Sequence, residues 1–208
     1  MASFTRDVAV AADALRRGAI VAYPTETFYG LGALAGLAGA VERLGTAKLR
    51  PEGKPLPLVA ADAAAAFALW REVPAEAVLL AHAFWPGPLT LVVAAAEGLP
   101  APITLGGTVA VRVPGSELAR GLCRLAGGAL VSTSANPAGG PPPTSAGALD
   151  PGLLDRIDLV LDGGTTPGGL PSTVIAVEEG RVRLLRVGAV SLDDVEAALR
   201  LPLPSCGG

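Results

Sequence analysis

The chain has no glutamine, one asparagine (Asn136), one histidine (His82) and two lysines (Lys48 and Lys54) against 14 arginines. Each scarcity narrows the field. A single histidine and two scattered cysteines, Cys123 and Cys206, argue against a zinc site, a Cys-His nucleophile or a disulfide framework. They suit a reducing compartment. Long apolar runs are missing as well. Half of the 208 residues are apolar and mean hydropathy is +0.50, yet runs such as 63–70 and 77–85 are broken by charge or proline. They stop well short of the roughly 20 residues of a membrane span. No basic segment leads into an apolar one at the start, so no signal peptide is expected. Sixteen basic against 19 acidic residues give a net charge of −3, without the basic surplus of a dedicated nucleic-acid binder. The expectation is a cytoplasmic protein that contacts RNA weakly if at all. Scarce Asn, Gln, Cys and Met beside 19 prolines fit a heat-adapted protein, and a GC-rich genome explains the alanine and arginine equally well.

The length suits one well-filled core, expected over residues 1–200 with a frayed tail over 201–208. Asp7–Arg17 reads as an opening helix stopped by Gly18, and Val41, Leu44 and Ala47 as a helix ended by Pro51. Leu118, Leu122 and Leu125 repeat at helical spacing behind the N-cap Ser116. Leu192, Val195 and Leu199 do so behind Ser191, with Asp194 completing a capping box. His82 falls in an apolar helical run over 75–85 and reads as a packed residue. Short aliphatic runs over 19–23, 56–60, 90–94, 109–113, 129–132 and 158–161 read as strands. Residues 173–177 and 182–186, joined by Glu179-Gly180, read as a hairpin. This interleaving predicts an α/β fold: a twisted mixed sheet flanked by helices.

Three stretches can carry chemistry. Tyr23-Pro24-Thr25-Glu26-Thr27-Phe28-Tyr29-Gly30-Leu31-Gly32 gathers two threonines, a carboxylate and two glycines after a strand, enough to line a small polar pocket. A turn whose threonines satisfy their own backbone is the simpler alternative. Glu26 could serve as a general base, a Mg²⁺ contact or a turn residue. A dinucleotide fingerprint does not fit, because six residues separate Tyr23 from Gly30 and no acidic residue follows at the required distance. Lys48-Leu49-Arg50-Pro51-Glu52-Gly53-Lys54 sets three cations within seven residues, suited to a polyphosphate although no Walker A motif is present. Val131-Ser132-Thr133-Ser134-Ala135-Asn136 brings three hydroxyls and the only side-chain carboxamide to a strand end, where α/β proteins bind ligands. Arg112 is a charge inside an apolar strand and needs a partner, for which a ligand carboxylate is one option. Ser172 closes a glycine-rich loop, and Arg186 ends the last strand. The pattern suggests catalysis by positioning and electrostatics rather than by a covalent nucleophile.

In order, these segments resemble the YrdC-like family of threonylcarbamoyl-adenylate synthases. The matching stretches are Pro24-Thr25-Glu26-Thr27 with Tyr29-Gly30-Leu31-Gly32, Lys48-x-Arg50-Pro51, Trp85-Pro86-Gly87-Pro88-Leu89-Thr90, Val111-Arg112-Val113-Pro114, Ser134-Ala135-Asn136, Asp162-Gly163-Gly164, Ser172-Thr173-Val174 and Leu185-Arg186-x-Gly188. The resemblance implies a large concave, positively charged cavity and the short form of the family, without a second domain. The implied reaction joins L-threonine, bicarbonate or CO₂ and ATP into threonylcarbamoyl-AMP and pyrophosphate, with Mg²⁺ bridging the phosphates and no metal site on the protein. A downstream tRNA threonylcarbamoyl transferase would use the product. Matched residue by residue, Thr27, Arg112, Ser132 and Ser172 would contact threonine. Lys48, Arg50, Lys54, Thr108, Ser134, Asn136 and Arg186 would contact ATP, with Lys48, Arg50 and Lys54 carrying the catalytic charge. The chain departs from the family pattern after Gly32, where Ala33 stands in place of an acidic residue, at Val59, and after Asn136, where Pro137-Ala138-Gly139 follows. A related module with a different carbamoyl acceptor and a non-catalytic RNA-binding module are the rival readings.

Overall fold

The computed structural model describes residues 1–48, 56–137 and 139–203. Its strands are β1 (Ser3–Thr5), β2 (Val21–Pro24), β3 (Tyr29–Gly32), β4 (Leu58–Val59), β5 (Leu89–Ala94), β6 (Thr104–Leu105), β7 (Thr108–Arg112), β8 (Leu130–Val131), β9 (Thr133–Ser134), β10 (Leu159–Leu161), β11 (Thr173–Glu178) and β12 (Arg181–Arg186). The helices are α1 (Val8–Arg16), α2 (Ala38–Ala47), α3 (Ala63–Phe67), α4 (Ala75–Phe84), α5 (Glu117–Ala126), α6 (Pro151–Leu154) and α7 (Leu192–Leu199).

The strands form two mixed sheets rather than the single sheet expected. One runs β1-β10-β2-β3-β9, and the other runs β12-β11-β5-β7-β4-β8 with β6 beside β7. The expected strand over 129–132 is in fact split between them: β8 pairs with β4 of one sheet, and β9 pairs with β3 of the other. Ser132 is the one residue between them, and its amide bonds the Pro57 carbonyl at 2.8 Å. The chain therefore changes sheets at a hydroxyl. β3 is a further difference, because a stretch read as a pocket-lining turn is a fully buried strand, antiparallel to both β2 and β9.

Local signals explain most helix ends. Asp7 accepts a hydrogen bond from the Ala9 amide at 2.8 Å, and Gly18, at φ +85°, takes the chain out of α1. Ser116 and Ser191 cap α5 and α7, accepting from the amides of Ala119 and Asp194 at 3.2 and 3.1 Å. The buried stripe of α5 is rotated from the leucine pattern. Ala119, Leu122, Cys123 and Ala126 face inward, and Leu125 is exposed. Small side chains there let α5 lie close against Ala11 and Ala12 of α1 in one shared cluster. Likewise Leu192 of α7 is exposed while Val195 and Ala198 are buried. His82 is exposed on α4, not packed. Burial pushes the Cys123 thiol up to about 12, so it is inert core rather than a nucleophile. At the hairpin, Glu179 and Gly180 both take positive φ (49° and 75°), as a two-residue type I′ turn requires.

A Cβ placed on Gly32 would sit 2.6 Å from Tyr23 Cε1 and 3.2 Å from the Val131 carbonyl. Gly32→Ala is therefore expected to destabilise the fold by about 1–3 kcal/mol, the usual range for overpacking. A thermal melt of the variant checks this. Among the described residues, no helix is long and apolar enough to cross a membrane.

Candidate active site

Where the chain changes sheets, a cavity of about 570 Å³ opens. Both sheets contribute to it: Thr25, Thr27 and Ser134 from the first, Thr90, Arg112 and Arg186 from the second, with Ser132 between them and Ser172 from the loop before β11. Nearly every polar side chain lining it is a hydroxyl or a guanidinium. The cavity can hold an anionic ligand rich in hydrogen-bonding oxygens.

Four local networks hold these groups. In the first, Thr25 closes the β2–β3 turn on itself. Its hydroxyl donates to the Phe28 carbonyl at 2.8 Å and accepts from the Thr27 amide at 3.3 Å. Thr25 thus follows the turn-residue reading, while Thr27 lines the cavity.

The second network centres on Arg112, at the end of β7, which pairs with Glu26 through Nη1 and Oε1. The other Glu26 oxygen accepts from the Ser116 amide at 3.4 Å, at the N-terminus of α5. Glu26 sits between a guanidinium and the positive end of a ten-residue helix, a favourable place for a carboxylate. Beyond the three roles open to Glu26 from sequence, this geometry shows another, that of an anchor for Arg112.

In the third, Arg186 donates to the Ser172 carbonyl at 3.1 and 2.8 Å and to its hydroxyl at 3.0 Å. The Ser172 hydroxyl in turn lies 2.9 Å from that of Thr90. Burial, and then the like charge of Arg112, hold the Arg186 guanidinium below its ordinary value. Among the described residues no carboxylate pairs with Arg186. Two arginines thus act on one cavity with one carboxylate between them, an arrangement that a bound anion stabilises.

In the fourth, Lys48 caps the C-terminal end of α2 and donates to the carbonyls of Ser134 and Asn136 and, at 3.2 Å, to Asn136 Oδ1. The Asn136 amide nitrogen donates onward to the carbonyls of Pro137, at 3.0 Å, and Gly140. Lysine and asparagine, two of the scarce residue types of the composition, meet in one clasp.

Of the residues expected to act, Thr27, Arg112, Ser132, Ser134, Ser172 and Arg186 line the cavity, and Lys48 and Asn136 brace its Ser134 wall. Arg50 and Lys54 lie outside the described residues. Thr108 is not brought into the cavity. It starts β7, about 13 Å from Arg112 at roughly 3.3 Å per residue. Its hydroxyl donates to the Leu105 carbonyl at 2.8 Å, and it borders a separate surface hollow with Arg71, Arg181 and Arg183. Thr90 is a polar lining residue that sequence reasoning missed, although it closes the Trp85–Thr90 motif. Two motif residues help shape the walls. The Tyr29 hydroxyl donates to the Gly164 carbonyl at 2.6 Å, and a Cβ at Gly163 would collide with Pro24 Cγ at 2.6 Å.

Residues 13–188 match the family model Sua5_yciO_yrdC, described as telomere recombination. The chain belongs to the Sua5/YciO/YrdC family. It is 43% identical over 193 residues to the threonylcarbamoyl-AMP synthase of Pyrococcus abyssi, covering 92% of this chain and 57% of that protein. To the Bacillus subtilis protein of the same name it is 39% identical over 194 residues, covering 92% and 56%. The structure of P. abyssi Sua5 complexed with L-threonine superposes with a TM-score of 0.86 at 40% identity, covering 96% of this chain and 61% of that one. The chain thus spans little more than half the length of these curated relatives. The expected mixed α/β fold is that of Sua5, with two sheets in place of one.

Proposed function

We propose that this Sua5/YciO/YrdC chain forms threonylcarbamoyl-AMP from L-threonine, bicarbonate or CO₂ and MgATP. The observation that carries this reading is the pair of arginines in one hydroxyl-lined cavity, Arg112 anchored by Glu26 and Arg186 with no carboxylate partner among the described residues. A substrate bearing a carboxylate at one end and a phosphate at the other suits both. The named relatives and the threonine complex of P. abyssi Sua5 support the same substrates.

On the amino-acid side, Arg112 takes the threonine carboxylate, while Thr27, Ser132 and Ser172 supply hydroxyls. The nucleotide side comprises Ser134, Asn136, Arg186 and Lys48, joined by Arg50 and Lys54, and by Thr108 for a nucleotide extended along β7. The threonine amine forms a bond to the carbon of CO₂ and loses a proton, giving a carbamate. A carbamate oxygen then attacks the α-phosphorus as the bond to the β-phosphate oxygen breaks, and pyrophosphate leaves. Fixed cations stabilise the charge that develops on the phosphoryl oxygens and on the departing group.

Among the described residues no cluster of acidic, histidine or cysteine side chains could hold a metal ion, and both Glu26 oxygens are engaged. Mg²⁺ would enter with the nucleotide as MgATP and neutralise phosphate charge. A labile mixed anhydride must be consumed quickly, so a tRNA threonylcarbamoyl transferase is the fitting acceptor enzyme, in the cytoplasm.

The test is mass-spectrometric detection of product after incubation with ATP, Mg²⁺ and bicarbonate, with threonine present, replaced by serine, or omitted. A threonine-dependent threonylcarbamoyl-AMP peak with equimolar pyrophosphate is expected. ATP binding without that product would redirect the reading to another carbamoyl acceptor.

A further inference from the structure

Tyr23 is completely buried, yet among the described residues its hydroxyl has no hydrogen-bond partner. Buried polar groups are nearly always satisfied, and phenylalanine would fill the same volume with nothing left unmet. The surroundings of the ring say where the hydroxyl is aimed. Tyr23 of β2 stands directly opposite Gly30 of β3, so its side chain shares a sheet face with Gly30 and Gly32. Both glycines clear space on that face. A Cβ at Gly32 would lie 2.6 Å from Tyr23 Cε1, and one at Gly30 would lie 3.4 Å from Ser132 Oγ. The Gly-Leu-Gly segment thus opens a lane, one glycine admitting the ring and the other the serine hydroxyl. Cys123, Ser132, Arg112 and Glu26 are all near enough to act on the phenol, yet no hydrogen bond joins it to Ser132 Oγ. Ser132 lines the cavity, and its backbone is fixed at the sheet change by the bond to Pro57, leaving χ1 as its freedom.

We propose that Tyr23 is a positioning residue for Ser132: when the amino-acid substrate binds, the Tyr23 hydroxyl donates to Ser132 Oγ, which turns its own proton towards a substrate oxygen. A serine hydroxyl alone samples several rotamers, as donor or acceptor. One that accepts from a buried phenol is fixed as a donor to the ligand. Burial holds the phenol well above its ordinary value, so it keeps the proton it must offer. Tyr23 itself never reaches the substrate, because Ser132 lies between them.

This inference rests on the proposed threonine site, and the experiment separates the two. Threonine binding would be measured by calorimetry for the wild type, Tyr23→Phe, Ser132→Ala and the double variant, alongside melting temperatures and KM values for threonine and ATP. Tyr23→Phe should weaken threonine binding and raise its KM about fivefold, the effect of losing one neutral hydrogen bond. The ATP KM should stay unchanged, and the melting temperature should hold or rise because an unmet hydroxyl is gone. In the Ser132→Ala background the same change should have no further effect on threonine. Unchanged threonine binding in Tyr23→Phe, or an effect that adds in full to Ser132→Ala, would overturn the positioning role and leave the site intact. Absence of threonine binding to the wild type would overturn the site itself and this role with it.

Discussion

Arg112→Ala should raise the threonine requirement by about 100-fold, within the range for truncating one member of a desolvated, hydrogen-bonded charge pair. The ATP requirement should move by no more than about twofold. The asymmetry follows from the geometry. Arg112 ends β7 with its side chain 12% exposed, gripped through Nη1 by Glu26, so the rest of its fork can meet a carboxylate. Removing it also strands Glu26, itself 21% exposed, with the Ser116 amide and the N-terminus of α5 as its remaining support. Partial solvation tempers that loss, and a destabilisation of about 1–2 kcal/mol is expected, below that of a fully buried pair. Arg112→Lys should fail nearly as badly, because an ammonium cannot present one edge to Glu26 and another to a ligand. Glu26→Gln should have a smaller effect, about tenfold on threonine, since the guanidinium remains but loses the anchor that aims it. Steady-state kinetics with each substrate varied in turn, beside a thermal melt, separate these effects. An Arg112→Ala enzyme with normal threonine KM and raised ATP KM would move the arginine to the nucleotide side.

What the sequence disclosed, and what it hid, divides along physical lines. Local signals were legible. The side-chain caps Ser116 and Ser191 and the Glu179-Gly180 turn need only their neighbours, and each is where the sequence puts it. Tertiary choices were not. β3 is half glycine, and glycine has no strand propensity to announce it. Its glycines exist for contacts with Tyr23 and Ser132, which lie far apart along the chain. The rotation of α5 follows from its neighbour α1, whose alanines favour small facing residues over the leucine stripe. The division into two sheets turns on Ser132, within a run that reads as one strand. The site was more legible than the fold around it, because unusual residues in an unusual composition point to themselves. Thr90 went unassigned as one threonine among several, and what marks it is the hydroxyl of Ser172, 82 positions away.

Lys48→Ala should lower kcat/KM for ATP by about 100-fold or more, with Lys48→Arg rescuing little of it. The expectation rests on a double duty. The ammonium holds together the carbonyls of Ser134 and Asn136 and the carboxamide of Asn136, so it fixes the turn that ends β9. Asn136 then carries the constraint forward through its own amide to Pro137 and Gly140. Alanine leaves the Asn136 carbonyls, 9% exposed as a residue, without the cation and frees the wall that presents Ser134 to the cavity. Breaking a charge-assisted bracket costs about 1.5–3 kcal/mol per bond to a charged group, which by itself accounts for ten- to 100-fold. If Lys48 also faces the triphosphate, as proposed, loss of its positive charge would add to that. Arginine restores the charge but not the function, because a planar fork cannot converge on three acceptors arranged around a point. Threonine binding measured without nucleotide should change little, since Arg112, Ser132 and Ser172 hang on other networks. An alanine variant whose ATP kinetics stay normal would mean that the turn holds its shape without the clasp, and that Lys48 serves neither phosphate nor loop.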